Sequence, residues 1–315
     1  MLPDSAGGPD ESPDSRQRPA RDAIGVPVRD NVAVTPVAPH LPLAHGELSD
    51  EDAAELAALK EQIESAVGFQ CRGYKERCLR RRIAVRMRAR GVHRYGKYAA
   101  LLNEDNSEYT QLVNTLTINV SKFYRNPEVW DVVRSLVLPQ LYASASPELR
   151  VWSAGTASGE EAYTARTLAA DYAREHGLPD DRLSVLGTDI DSESLAVAAR
   201  GVYSAFAMTD IDPDVRDRWF VNDGSYRLRE EARRNVRFEM LDLIREPYPP
   251  AQHLILCRNV IIYFERSVQE RLFRRFHEAL EPGGFLVLGK VEALFGAASG
   301  LFRTVANRQR VFQKV

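Results

Sequence analysis

The sequence has few cysteines and no long uninterrupted apolar run. The three cysteines (Cys71, Cys78 and Cys257) include no CxxC pair, so neither a disulfide framework nor a zinc site is expected. No run of eighteen uncharged apolar residues occurs, which argues against a membrane-spanning helix. The first residues lack the basic and apolar regions of a secretory signal. A reducing, cytoplasmic compartment is therefore expected.

Aromatic residues are absent from the start of the chain. No Phe, Trp or Tyr precedes Phe69, whereas eight of the 17 prolines lie between Pro3 and Pro42. Such a composition buries too little apolar surface to offset the entropy lost on ordering. Residues 1–47 are therefore predicted to form a disordered, Pro-rich tail, with tethering as its default role.

The net charge of the 315-residue chain is only −2, but its positive charges are concentrated. The stretch Arg72–Lys97 holds eleven Lys and Arg against one acid, Glu76. A solvated helix face is the usual explanation of a charge run, but such a face normally carries both signs. One-signed density favours an acidic partner, which is either nucleic acid or a protein surface rich in Glu and Asp. Aromatics are sparse there, so a base-stacking surface is poorly supported.

Apolar spacing predicts four helices after the tail. The first follows Ser49, a predicted N-cap, and its apolar positions recur at three- and four-residue intervals: Leu56, Leu59, Ile63 and Val67. The others are predicted at about Tyr74–Arg90, Tyr95–Leu102 and Ser107–Leu116.

Strand candidates alternate with helices from Leu149 onward, which indicates a parallel, doubly wound α/β sheet. The candidates are LRVWSAG, LSVLGTDID, VRFEMLDL, HLILC, FLVLGK and, as an edge strand, RVFQKV. The helices between them are predicted at Glu160–His176, Glu193–Arg200 and Val268–Leu280. Residues 203–235 interrupt the alternation and are predicted to form a small antiparallel hairpin around Asn222-Asp223-Gly224.

The first chemical motif is VWSAGTASGEE, a strand that leads through Gly155 and Gly159 into a helix. Glycines allow close approach to a ligand, and a helix start offers free N–H groups. The motif is neither GxGxxG nor a Walker A loop. Glu160 and Glu161 would repel phosphate and suit an ammonium or sulfonium group. The alternative is an ordinary tight turn with acids stabilising a helix start.

Two further motifs follow later strands. An acid at Asp189 or Asp191 can bind both ribose hydroxyls of a nucleoside, and the alternative role for either is capping the next helix. Together with the first motif, this favours a nucleoside cofactor without pyrophosphate, namely S-adenosylmethionine. Asn259 and Tyr263 follow HLILC and are predicted to face the cleft at the carboxyl ends of the strands, the alternative being a capping asparagine and a buried tyrosine with a satisfied hydroxyl. Asn119 and Arg125, at the junction between the helical and sheet regions, are further candidates.

In combination, these stretches resemble the CheR-type chemoreceptor glutamate methyltransferases over nearly all of residues 50–315. The stretches that carry the resemblance are LRRRIAVRMRARG, TINVSKFYRNPEVW, RVWSAGTASGEEAY, GTDIDSESLAVAARGVY, LILCRNVIIYF and LEPGGFLVLGKVEAL. The resemblance implies a class I S-adenosylmethionine-dependent methyltransferase domain, with a doubly wound, Rossmann-like sheet. An N-terminal all-α domain and a small antiparallel β-subdomain accompany it. Enzymes of this family methylate glutamate side chains on the cytoplasmic helices of chemoreceptors.

The resemblance also implies a domain plan and site residues. The plan is a receptor-docking helical domain over 48–118, a junction over 119–133, a methyltransferase domain over 134–315 and a β-subdomain over 203–235. The residues implied to bind the cofactor are Asn119, Ser121, Arg125, Gly155, Glu161, Asp189, Asp242, Leu243, Arg258 and Asn259. Arg125 and Tyr263 are implied to lie nearest the transferred methyl group. The residues implied to dock the acidic receptor helix are Arg80, Arg81, Arg82, Arg86 and Arg88.

Some of these assignments are more specific. Glu161 would hold the methionine amino group and Asp189 the ribose hydroxyls, with Asp242 and Arg258 in the adenine and cofactor pocket. Asp242 stands where the family often has Asn, and an ionised Asp can only accept hydrogen bonds. The hairpin region is short, which suggests an enzyme that does not bind a receptor's C-terminal pentapeptide. A monomer without a metal is expected.

The reaction needs no general base, because a glutamate side chain has a pKa of about 4.3 and is already ionised near pH 7. Catalysis is expected to come mainly from positioning. Three alternatives remain: a nucleic-acid methyltransferase, for which no NPPY-like motif is present; a non-catalytic S-adenosylmethionine sensor; and a methyltransferase of another signalling protein.

Overall fold

The computed structural model describes residues 47–117 and 119–315. The predicted disordered tail therefore lies outside the described residues, apart from Glu47. All four predicted N-terminal helices are present, each within two residues of its predicted ends. They are α1 (Asp50–Val67), α2 (Glu76–Ala89), α3 (Tyr95–Glu104) and α4 (Ser107–Leu116).

The N-cap and most of the apolar face of α1 are as predicted. The Ser49 hydroxyl accepts a hydrogen bond from the backbone amide of Asp52 at 3.1 Å. The predicted core residues Leu56, Leu59 and Ile63 are buried in one cluster with residues of α2, α3 and α4. The prediction for Val67 was wrong, because this residue is 42% exposed. It is the last residue of the helix, which Gly68 caps in the left-handed conformation (φ 72°).

The rest of the chain is built on a mixed seven-stranded sheet of order β6-β2-β1-β7-β8-β10-β9, with a separate three-stranded sheet of order β3-β5-β4. The strands are β1 (Leu149–Ala154), β2 (Leu183–Asp189), β3 (Val202–Tyr203), β4 (Phe220–Asn222), β5 (Tyr226–Leu228), β6 (Val236–Met240), β7 (Gln252–Cys257), β8 (Leu280–Leu288), β9 (Phe302–Ala306) and β10 (Val311–Lys314). The neighbouring strands β6, β2, β1, β7 and β8 are parallel to one another, as predicted.

The prediction that RVFQKV forms an edge strand was wrong. β10 pairs antiparallel with β8 on one side and with β9 on the other, so β9 forms the edge. The sequence analysis missed β9 because its pattern is weak. Phe302 is its only buried residue, and Arg303 and Thr304 are exposed.

Helices cover both faces of the large sheet. Successive residues of β1 point to opposite sides: Val151 packs in a cluster with α7, and Trp152 packs in a second cluster with α11. The helices of this part are α5 (Pro127–Val132), α6 (Leu138–Ala143), α7 (Glu160–Glu175), α8 (Ser192–Arg200), α9 (Pro213–Trp219), α10 (Glu230–Arg233) and α11 (Arg266–Ala279). In the described part of the chain, no helix combines the length and the apolar character needed to cross a membrane.

The predicted hairpin is present as β4 and β5, joined at Asn222-Asp223-Gly224. The Asn222 side chain accepts from the backbone amide of Gly224 at 3.2 Å, which holds the turn. β3 pairs with β5 and completes the small sheet.

The helical part and the sheet part are joined by a short backbone bridge. The amide of Lys75 donates to the carbonyl of Tyr263 at 2.8 Å, and the amide of Glu265 donates to the carbonyl of Gly73 at 2.9 Å. Tyr74 and Phe264 pair between them, with ring centroids 4.8 Å apart. Helix α2 therefore begins directly beside Tyr263.

Candidate active site

The loops that follow β1, β2 and β7 meet at one edge of the sheet, because these three strands are neighbours and parallel. Two adjoining cavities lie there and share four wall residues, Gly155, Asn259, Val260 and Tyr263. Every residue predicted to bind the cofactor or to lie near the methyl group lines at least one of the two cavities. The structure thus brings together residues that are more than 140 positions apart in the sequence.

The first cavity combines apolar walls with two carboxylates. The carboxylates are those of Asp189 and Asp242. The apolar wall residues are Tyr74, Leu116, Ile190, Leu241, Leu243, Val260 and Phe264. The predicted residues found here, besides the two acids, are Asn119, Gly155, Leu243, Asn259 and Tyr263. A cavity with apolar walls and hydrogen-bond acceptors suits a nucleoside.

Of the two acids that the sequence left open, Asp191 has the capping role and Asp189 lies in the cavity wall. Asp191 caps α8, because its side chain accepts from the backbone amides of Glu193 and Ser194. Asp189 ends β2 and faces the cavity, where it accepts from the amide of Ala157 at 2.8 Å. Burial raises the pKa of the Asp189 carboxyl, while backbone hydrogen bonds act in the opposite direction.

Asn119 and Asp242 approach the first cavity from different segments. The Asn119 side chain donates to the carboxylate of Asp191, which ties the junction segment to the start of α8. Asp242 accepts from the amide of Ile244 at 2.7 Å. Burial raises the pKa of the Asp242 carboxyl.

The second cavity is polar. The predicted residues that line it, besides the shared walls, are Ser121, Arg125, Glu161 and Arg258. Glu161 accepts from the Ser153 hydroxyl at 2.9 Å and lies 3.5 Å from the Arg258 guanidinium. Burial raises the pKa of the Glu161 carboxyl, and the positive charge of Arg258 opposes this. An ammonium group and a carboxylate group would each find an opposite charge here.

Only one of the two glutamates at the start of α7 lies on the cavity wall. Glu160 instead accepts from the Ser158 hydroxyl at 2.8 and 2.9 Å. Consecutive residues of a helix point in directions about 100° apart, and of the two only Glu161 lines the second cavity. The expectation that the pair acts together was therefore wrong for Glu160.

Arg258 lines the second cavity, whereas Asp242 lines the first. It is only 6% exposed and donates to the carbonyl of Arg125 at 2.7 Å and to the side chain of Asn126 at 3.1 Å. Its guanidinium also lies 5.3 Å from the centre of the Trp130 ring. These contacts hold the arginine against the junction segment.

The two residues predicted to lie nearest the methyl group differ in their surroundings. Arg125 lines the second cavity, and its guanidinium donates to the carbonyl of Val120 at 3.3 Å. Tyr263 lies in the wall common to both cavities. Burial raises the pKa of Tyr263, with Arg82 and Arg125 opposing it. Its hydroxyl is therefore protonated near neutral pH and can donate a hydrogen bond.

Gly155 is required by the geometry of the loop after β1. Its φ is 77°, a conformation that L side chains rarely adopt. A Cβ atom at this position would lie 2.5 Å from a methyl carbon of Val260. The loop can therefore approach the segment after β7 only with glycine at this position.

Sequence reasoning missed two contributions to the site. The helical part supplies cavity walls through Tyr74, Leu116 and Thr117, although it was predicted only to dock a receptor. Glu292, a buried acid in the loop after β8, accepts from the backbone of the segment after β7. The acid in GKVEAL was the available signal, but it stands far from the other motifs in the sequence. Among residues 47–117 and 119–315, no group of three or more His, Cys, Asp or Glu side chains is placed to hold a metal ion.

The arginines of α2 do not form one docking surface. Arg86 pairs with the buried Glu108, and Arg82 donates to the carbonyl of Thr115 at 3.2 Å. Arg80 hydrogen-bonds Tyr95. Of the predicted docking residues, only Arg81 and Arg88 have exposed side chains. The prediction that Arg86 faces a partner was wrong, because its charge is engaged inside the helical bundle.

Comparison with known proteins divides the chain into the same helical and sheet parts. Residues 119–311 match the S-adenosylmethionine-binding domain of CheR methyltransferases, and residues 54–117 match their all-alpha domain. A chemotaxis protein methyltransferase of Listeria monocytogenes is 30% identical over 78% of this chain and 92% of its own length. That of Escherichia coli is 31% identical over 76% of this chain and 84% of its own.

A third relative is longer. An uncharacterized 104.1 kDa protein of Rhodobacter capsulatus is 35% identical over 76% of this chain, and the match spans 25% of that protein. The described fold has the two parts that the family matches require, an all-α part followed by an α/β part with the two cavities. The chain belongs to the CheR methyltransferase family and is a methyltransferase with an S-adenosylmethionine-binding domain.

Proposed function

We propose that this protein transfers a methyl group from S-adenosylmethionine to glutamate carboxylates of chemoreceptor proteins, yielding glutamate methyl esters and S-adenosylhomocysteine. The observation that carries the proposal is the pair of adjoining cavities, with the Tyr263 side chain in their common wall. The similarity to chemotaxis protein methyltransferases supports the choice of acceptor.

The residues of the two cavities fit the cofactor. The apolar walls of the first cavity suit adenine, and Asp189 can accept from ribose hydroxyls. The Asn259 side-chain oxygen is buried and has no hydrogen-bond partner among the described residues, so it can accept from the ligand. In the second cavity, Glu161 suits the ammonium group of the methionine part, and the Arg125 and Arg258 guanidinium groups suit its carboxylate.

The chemistry requires orientation more than proton transfer. When bound, S-adenosylmethionine supplies a sulfonium methyl group for in-line displacement by a carboxylate oxygen. The acceptor carboxylate is ionised near pH 7, so no base is needed. Tyr263 donates a hydrogen bond to one carboxylate oxygen, and the positive charge of Arg125 draws the carboxylate inward, which leaves the other oxygen free. Such positioning can supply about 7–11 kcal/mol of barrier reduction.

The acceptor protein is proposed to dock on α2. Arg81 and Arg88 are exposed on this helix, and Lys75 at its start is also exposed. The backbone amide of Lys75 is hydrogen-bonded to the carbonyl of Tyr263. An acidic helix that lies along α2 therefore reaches the loop of Tyr263 at one end. This partner is a protein helix and not nucleic acid. The enzyme is proposed to be a cytoplasmic monomer that meets the membrane only through its receptor.

We assign one role to each predicted domain. Residues 48–118 dock the receptor, residues 119–133 contribute to the cofactor site, and residues 134–315 carry the transferase fold. The β-subdomain at 203–235 has short strands of two and three residues. We propose that it does not bind a C-terminal receptor pentapeptide.

The test is incubation of the purified protein with methyl-labelled S-adenosylmethionine and cytoplasmic fragments of the host's receptors. Base-labile label that is released as methanol is expected on the receptor fragments and lost when the acceptor glutamates are changed to alanine. A protein that binds S-adenosylhomocysteine but labels no receptor fragment would contradict the proposed acceptor. Label on RNA or DNA in a parallel reaction would do the same.

A further inference from the structure

Glu292 is a buried acid whose carboxylate oxygens accept hydrogen bonds from backbone amides. It is 4% exposed. Its Oε2 accepts from the amides of Gly289 at 2.5 Å and Asn259 at 3.0 Å, and its Oε1 accepts from the amide of Ile262 at 3.2 Å. The ion pairs of the described residues do not include Glu292. Burying a carboxylate is costly unless its oxygens are hydrogen-bonded, and here three backbone amides meet that need.

The segment held by Glu292 carries two of the proposed site residues. Asn259 and Tyr263 belong to it, and both line the cavity walls. Asn259 has a φ of 63°, in the left-handed region, which Asn adopts more readily than most residues with a side chain. The amide of Asn259, at this turn, donates a hydrogen bond to Glu292.

The space around the carboxylate is closely fitted. A Cβ atom on Gly289 would lie 2.7 Å from Oε2 of Glu292 and 2.8 Å from the amide nitrogen of Asn259. A side chain at position 289 would therefore clash with both the Glu292 carboxylate and the turn after β7. Burial raises the pKa of the Glu292 carboxyl, and the hydrogen bonds from the Asn259, Gly289 and Ile262 amides oppose this.

We propose that Glu292 is a positioning residue for methyl transfer. By accepting from the Asn259 and Ile262 amides, it fixes the turn that aims the Asn259 side chain into the first cavity. The same turn places the Tyr263 hydroxyl in the wall between the two cavities. This inference rests on the proposed function for its catalytic consequence, and on the described hydrogen bonds for its structural part.

The first test compares Glu292→Gln with Glu278→Gln, the same change at an exposed glutamate of α11. Glutamine offers one acceptor oxygen instead of two, and its NH2 group then faces a backbone amide. In the ligand-free protein, hydrogen exchange at the amides of Asn259 and Ile262 should become faster in Glu292→Gln and stay unchanged in the control. Equal exchange rates in the two variants would overturn the proposal.

The second test separates positioning from overall stability. Glu292→Gln should lower kcat for receptor fragments about tenfold and weaken S-adenosylhomocysteine binding, while KM for the receptor stays unchanged. In a Tyr263→Phe background the same change should cost less, because the hydroxyl that it positions is gone. An equal loss in both backgrounds would contradict the proposed positioning of Tyr263 by Glu292.

A third variant covers the case in which Glu292→Gln does not fold. Gly289→Ala keeps the carboxylate but crowds it against the Asn259 amide, so the same amides should exchange faster and S-adenosylhomocysteine should bind more weakly. Unchanged exchange and affinity in this variant would also overturn the proposal. If the wild-type protein methylates no receptor, the proposed function fails, but the exchange and affinity measurements still decide the role of Glu292.

Discussion

The guanidinium of Arg86 grips the carboxylate of Glu108 with two hydrogen bonds, Nε to Oε1 at 2.8 Å and Nη2 to Oε2 at 2.6 Å. Glu108 is 1% exposed and also accepts from the Tyr98 hydroxyl at 2.7 Å and from Arg90 at 2.9 Å. This network joins α2, α3 and α4. One arginine of the basic helix is therefore part of the bundle core, while Arg81 and Arg88 of the same helix are exposed.

Substitution of the buried arginine and of the exposed arginines should therefore have different effects. Arg86→Ala leaves a buried carboxylate with fewer partners, so it should lower the free energy of unfolding by about 1–3 kcal/mol. Arg81→Ala combined with Arg88→Ala should leave the melting temperature unchanged and raise KM for the receptor, with a loss that shrinks at high salt. Thermal unfolding and initial rates at two salt concentrations measure both. Equal effects on stability from the two variants would contradict the assignment.

Asp189→Asn should weaken binding of S-adenosylhomocysteine about tenfold to a hundredfold, because the amide replaces a charged acceptor of the ribose hydroxyls. Calorimetric titration measures the affinity. The matched control is Asp223→Asn, the same change in the exposed hairpin turn, which should bind like the wild type. The assignment fails if the two variants bind equally well.

Tyr263→Phe should lower kcat about tenfold with little change in S-adenosylhomocysteine affinity, because the lost hydroxyl acts on the acceptor. Arg125→Ala should lower both kcat and affinity, since Arg125 lines the cavity assigned to the methionine part. Single-turnover transfer and calorimetry separate these effects. Full activity of both variants would remove these residues from the mechanism.

Acidification should weaken S-adenosylhomocysteine binding before exposed glutamates titrate. The pKa of Glu161 is raised by burial above its ordinary value of 4.5, and only the ionised carboxylate holds an ammonium group. Affinity should therefore begin to fall at a pH above that value, and Glu161→Gln should show a shallower pH dependence. An identical pH dependence in the two proteins would show that Glu161 is not responsible.

Protonation of Glu161 weakens ligand binding but favours folding. A carboxyl whose pKa is raised in the folded state stabilises the fold at pH values below its unfolded pKa, and this contribution is lost as the pH rises through the folded pKa. Titration of Glu161 therefore does not destabilise the protein on acidification. Thermal unfolding at each pH serves as the control for the affinity measurement.

Gly155→Ala should weaken S-adenosylhomocysteine binding and lower stability by about 1–2 kcal/mol through its left-handed backbone alone. Contact with Val260 adds to this cost. Adding Val260→Ala should restore part of the loss, since it removes the methyl groups but not the backbone strain. No recovery in the double variant would mean that contact with Val260 contributes nothing.

Local patterns in the sequence predicted much of this structure. The spacing of apolar residues placed α1 to α4 and most strands, and the βα turns placed Gly155, Glu161 and Asp189 at the site. Contacts between distant segments could not be predicted in this way. The pairing of Arg258 with Glu161 and of Arg86 with Glu108 depends on packing that no local pattern encodes. β9 was missed because it buries a single side chain at an edge.

The bridge between Lys75 and Tyr263 limits the modularity of the protein. Two family matches meet near residue 118, which invites separation of the chain at that point. A fragment that begins at residue 119 would lose Tyr74, Leu116 and Thr117 from the wall of the first cavity. It would also leave the Tyr263 carbonyl and the Glu265 amide without their partners. Exchange of the helical part between relatives would therefore transplant part of the proposed cofactor site together with the proposed receptor-docking surface.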